Sequence, residues 1–83
     1  MISLRISAAI ADEWAGRGID DVIPGVPRPA YGGGVISVTP EIAREILADC
    51  EFNGDTRGGP ESMPGGTRRA YQALAAQLRR SLS

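Results

Sequence analysis

The chain has no histidine, no lysine and one cysteine, Cys50. Without imidazole, the usual zinc and haem sites lack a ligand, and Ser–His or thiol–imidazole catalysis lacks its base. A lone thiol forms no intrachain disulfide, so nothing calls for an oxidising compartment, and cytoplasm is the expected location. Apolar runs are short, none near the roughly 18 residues of a membrane span, and acids arrive too early for a secretory signal. Aromatics are scarce: Trp14, Tyr31, Phe52 and Tyr71. No cofactor, metal or membrane is expected.

What remains is 83 residues, 42% of them hydrophobic, which is one small domain with a single core. All nine basic residues are Arg. With so much Ala and Gly beside them, this has the look of codon bias in a GC-rich genome, bacterial, phage or plasmid. The net charge of −1 hides a division. Residues 1–61 hold all ten acids and five Arg, whereas residues 62–83 hold four Arg and no acid. A basic tail lying on an acidic body explains that split most simply; two surfaces with opposite tastes in partner explain it too.

Ile2, Leu4 and Ile6 alternate with Ser3, Arg5 and Ser7, the period-two pattern of a half-buried strand. Ser7 then caps a helix over 8–17 that carries Ile10 and Trp14 on one face, with Gly16 and Gly18 as its stop. This opening stretch, residues 2–18, resembles the strand and first helix of ribbon-helix-helix repressors. It departs from them where their short turn into a second helix is replaced by a Pro- and Gly-rich segment. Residues 18–34 read as an ordered loop, stiffened by Pro24, Pro27 and Pro29 and ended by Gly32, Gly33 and Gly34.

Val35, Ile36 and Val38 give a second strand. Thr39 and Pro40 open a helix running to about Glu51, with Ile42, Ala43, Ile46, Leu47 and Cys50 on one side. After a second loop over 52–66, Thr67 caps a last helix striped with Tyr71, Leu74, Ala75, Leu78 and Leu82. The expected fold is α+β in the order β-α-β-α-α: two strands, or three if a loop hides one, against three helices. A sheet that small keeps free edges, which a second copy or a partner can complete.

Several motifs fail on their own terms. The triple glycine precedes a strand, whereas phosphate-binding loops follow one and open a helix, so loop flexibility accounts for it better. Asp49, Glu51, Asn53 and Gly54 imitate the start of a calcium loop, yet the register ends on Pro60 where a bidentate carboxylate belongs. Pro24 and Pro27 have polyproline-ligand spacing, but Gly25 between them favours a turn. Cys50 and Trp14 sit at helical spacing from apolar neighbours and read as core.

Two charge patterns survive. Glu41, Glu45 and Asp49 recur every four residues and form a carboxylate column on the second predicted helix. Arg68 with Arg79, and Arg69 with Arg80, stand eleven residues apart, almost three turns, and so share helix faces. Arg79 and Arg80 suit a helix C-terminus. Arg68 and Arg69 oppose the dipole of the first turn and ask for an anion, with carboxylates such as Glu61 the simplest supplier. These seven residues are the candidate partner-binding set.

The expectation is a small non-enzymatic interaction protein that binds a larger protein or nucleoprotein through charged helix faces. A phage or mobile-element accessory protein inhibiting a host nucleic-acid-processing or defence complex fits that description. The alternative is a nucleic-acid-binding or regulatory protein using the basic C-terminal helix. Acid–base catalysis by Asp, Glu or Tyr ranks last, because no spacing singles out a pair.

Overall fold

In the computed structural model, described for residues 1–29, 32–54 and 65–83, the alternating N-terminus forms β1 (Ile2–Ile6). Leu4 and Ile6 point into the core while Ser3 and Arg5 face solvent. Ser7 ends the strand and starts α1 (Ala8–Arg17) by accepting a hydrogen bond from the backbone N–H of Ile10, at 3.3 Å. That cap satisfies one orphan donor of the first turn. The helix stops at Gly18, whose backbone turns left-handed with φ at +63° and so returns its N–H to the Trp14 carbonyl. Gly16 stays helical and plays no part in the stop.

The segment after Gly18 departs from the expected loop. A one-turn helix, α2 (Ile19–Val22), intervenes and buries Ile19, and Ile23 and Val26 follow it into the core. Loop-like composition concealed it because a single turn needs no long apolar period. Arg28 folds back onto Asp20, with hydrogen bonds of 3.1 and 3.3 Å, which ties the proline-rich stretch to α2.

β2 (Gly34–Val38) pairs antiparallel with β1, setting Ile2 opposite Val38, Leu4 opposite Ile36 and Ile6 opposite Gly34. Gly33 is a packing requirement, not loosely flexible chain. Its φ is +98°, and a Cβ there would collide with the Ile6 carbonyl oxygen. The close approach seats the start of β2 against the β1–α1 junction, and only glycine permits it.

Thr39 caps α3 (Pro40–Gly54) through a 3.2 Å bond from the Ile42 N–H to its Oγ1. The helix runs past Glu51, so Asp49 and Glu51 are helical and no calcium loop opens there. Arg57 and Pro60 of that motif, and Glu61, lie outside the described residues. α4 (Gly65–Leu82) begins before the expected cap, which places Thr67 inside the first turn and removes it as the cap.

Among the described residues the order is therefore β-α-α-β-α-α, an α+β fold with one helix more than the sequence suggested. Among the described residues the sheet has two strands. α3 and α4 make the most extensive contact between helices, and α4 also touches α1 and β1. Trp14, Ile46, Cys50, Tyr71 and Leu78 meet Leu4 and Ile10 in one buried cluster. Each Leu or Ile so buried stabilises by about 1.5–3 kcal/mol before entropy is charged against it. The outer face of the sheet carries Ser3, Arg5, Val35 and Ser37, all exposed.

Candidate functional site

The carboxylate column does not survive folding. Glu41 and Glu45 are exposed, but the Asp49 side chain is only 13% exposed and is gripped by Arg17. Four residues overshoot a helical turn by about 40°, so two such steps carry Asp49 well round α3 from Glu41. There the end of α1 supplies a guanidinium. Its two nitrogens reach the two carboxylate oxygens at 2.6 and 3.1 Å, a bidentate pair. Arg17 also donates to the Tyr71 hydroxyl at 3.0 Å, and that hydroxyl donates to Glu13 at 3.4 Å.

One network thus joins α1, α3 and α4. The carboxylate holds the Arg17 guanidinium even more firmly protonated than usual. Burial pushes the Tyr71 phenol up to about 12, against the pull of Arg17. Burial, with Asp49 close by, likewise pushes the Cys50 thiol up to about 12. Guanidinium, phenol and thiol therefore keep their protons at neutral pH. The network is a structural clamp, and a thiol so hard to ionise is a poor nucleophile.

The arginine rows of α4 divide as well. Arg79 bonds Glu51 of α3 at 3.0 Å, with both side chains about half exposed, so body and tail neutralise each other there. Such a pair contributes little, about 0–1 kcal/mol. Arg68 is half-buried, while Arg69 and Arg80 are exposed. The structure leaves Glu41, Glu45, Arg69 and Arg80 exposed, holds Asp49 against Arg17 and pairs Arg79 with Glu51.

It assembles a different group instead. Ser3, Leu4 and Arg5 of β1, Val35 of β2, and Gln77 and Arg80 of α4 line an open groove of about 400 Å³. Gln77 places α4 against the strand: its Oε1 accepts from the Arg5 N–H at 2.8 Å and its Nε2 donates to the Arg5 carbonyl at 3.1 Å. The side-chain amide thus satisfies the backbone groups that a neighbouring strand would. One turn further on the same helix, Arg80 joins Arg5 at the groove. Two guanidinium groups and a hydroxyl share these walls, and among the described residues no carboxylate lines them. Such a groove suits an anionic group, which each guanidinium can engage in bidentate fashion.

Sequence reading missed this site except for Arg80. The one available signal was Arg5 on the solvent side of a strand. Its pairing with a residue 75 positions away is invisible without the fold.

A smaller cavity of about 110 Å³ lies beside Trp14, with Ala11, Ala15 and Ile19 among its walls. The Trp14 Nε1–H is buried with no acceptor among the described residues, and Arg28, the charged residue of the wall, is already held by Asp20.

Set against family models, curated proteins and solved structures, the chain matches none significantly. Function is therefore argued from the site alone. Among the described residues no helix is long and apolar enough to cross a membrane, and no cluster of three or more metal-binding side chains occurs.

Proposed function

We propose that this chain is a non-enzymatic binding module that docks on an acidic protein surface through the Arg5–Arg80 groove. The observation that carries the reading is a groove with two arginines and, among the described residues, no carboxylate, on a chain whose net charge is −1. Three other arginines have acidic partners at hand: Arg17 with Asp49, Arg28 with Asp20, Arg79 with Glu51. Arg5 and Arg80 make no ion pair among the described residues.

A protein partner is favoured over nucleic acid because no described aromatic ring lines the groove. Trp14 and Tyr71 are buried and cannot stack on bases, and the groove adds an apolar contact, Val35, to its charges. Glu41 and Glu45 remain a solvated helix face in this reading. An inhibitor that occupied a basic groove by its acidic stripe would lack Asp49, so blocking of a larger complex is proposed through the arginines instead.

Fluorescence anisotropy with a labelled polyglutamate peptide and with a short DNA duplex, each at two salt concentrations, tests the proposal. Peptide binding should weaken at least about tenfold in the Arg5→Ala/Arg80→Ala double variant and stay unchanged in Glu41→Gln/Glu45→Gln. Stronger binding to the duplex, lost in the arginine variant with a steep salt slope, would replace the proposal by direct nucleic-acid binding. Failure of both probes to bind at low salt overturns the groove as an anion site.

A further inference from the structure

We propose that the chain forms a twofold dimer in which β2 pairs antiparallel with β2 of a second copy. Gln77 takes both backbone groups of Arg5. In a strand the N–H and C=O of one residue point to the same side, so Arg5 faces away from β2. Val35, opposite Arg5 in the register, faces away from β1 for the same reason. Alternation then directs Ser3 outward on β1 and Ser37 outward on β2, while Leu4 and Ile36 bond inward.

The two edges therefore differ. The edge of β1 is closed at Arg5 by a side chain of α4. The edge of β2 presents the N–H and C=O of Val35 and Ser37, and no described residue bonds them. Both residues are exposed, Val35 at 68%.

The occupant follows from self-complementarity. Antiparallel pairing centred on Ile36 sets Val35 opposite Ser37 of the second copy, and Ser37 opposite its Val35. Two outward residues per strand then exchange four N–H···O bonds across a twofold axis. The same register sets Gly34 opposite Val38 of the second copy, where the absent Cβ leaves room. β2 carries no charge, so the symmetric pairing brings no like charges together, and it has none of the charged or proline residues that usually guard an edge. Pairing β2 onto β1 of another copy is obstructed by Gln77. The product is a four-stranded sheet, sturdier than the marginal two-stranded one, whose outer face carries two Arg5–Arg80 grooves. The association stands whether or not those grooves bind an acidic partner.

Sedimentation equilibrium of the full chain from micromolar to about 1 mM tests it. The expected result is a concentration-dependent rise from 8.7 kDa toward twice that mass. Ser37→Pro removes an outward N–H without touching the β1–β2 ladder and should raise the dissociation constant at least about tenfold. Ser3→Pro makes the same change on the other edge and should leave association unchanged. Should Ser37→Pro fail to fold by circular dichroism, Val35→Lys, which keeps the backbone and adds charge to the pairing edge, takes its place with the same expected loss. A chain that stays monomeric throughout overturns the proposal. So does a folded edge variant that dimerises like the wild type.

Discussion

Arg17 and Arg80 are the same side chain on two helix C-terminal turns, and they do opposite things. Arg17 is surrounded by partners: Asp49 in bidentate grip, Tyr71 above it, and Glu13 beyond the phenol. Arg80 stands exposed over a strand, with Arg5 rather than a carboxylate across the groove. The helix dipole favours both equally. What separates them is the neighbouring element: Arg17 at the end of α1 meets side chains of α3 and α4, while Arg80 near the end of α4 shares a groove with the exposed side chains of the two strands. A charge becomes structural when the fold brings its counter-charge, and available for binding when it does not.

Alkali attacks the first region hardest. Cys50 and Tyr71 are neutral when protonated, and burial lifts both to about 12 from ordinary values of 9.0 and 10.0. The unfolded chain therefore loses these protons first. Stability from both groups is fully present below pH 9 and falls as the pH rises toward 12. Denaturant midpoints across that range should show the decline, and Cys50→Ala should delay its onset toward pH 10, the ordinary value of the phenol left behind. A midpoint flat to pH 12 would mean that neither group is as buried as the packing requires.

Next in size is Tyr71→Ala, which empties a fully buried ring position and strips Arg17 and Glu13 of their shared hydroxyl. A loss of about 3–5 kcal/mol is expected by chemical denaturation. Tyr71→Phe keeps the ring and separates the hydroxyl from the packing; it should cost about 1 kcal/mol.

The sharpest form of the comparison lies within one helix. Asp49→Ala removes the partner of a partly buried guanidinium and should destabilise by about 2 kcal/mol, discounted from the fully buried case because Arg17 remains 30% exposed. Glu45→Ala, one turn earlier on the same predicted column, should change stability by less than about 0.5 kcal/mol. Equal costs at both positions would restore the column and put Asp49 and Glu45 in the same role.

The strands and the long helices were legible because their signals are local. Alternation at Ile2, Leu4 and Ile6, the caps at Ser7 and Thr39, and the stripe from Tyr71 to Leu78 each report on neighbours within a few residues. Where signals were short or ambiguous, reading failed. α2 is one turn long, Thr67 lies within a helix that starts at Gly65, and Gly33 looks like any flexible glycine until the chain passes against Ile6.

The candidate site was mostly illegible. A row of charges at constant spacing says which residues share a strip of helix, and the strip drifts. It does not say which end of the strip meets another element.

The α+β class, the apolar faces and the lack of imidazole, amine and paired thiols follow from the amino-acid sequence by itself, because residue type and spacing decide them. The fate of each charge was decided only by tertiary structure. Electrostatic partnership depends on distances through space, and a 72-residue separation between Arg5 and Gln77 closes to a 2.8 Å hydrogen bond only when α4 comes to rest against β1.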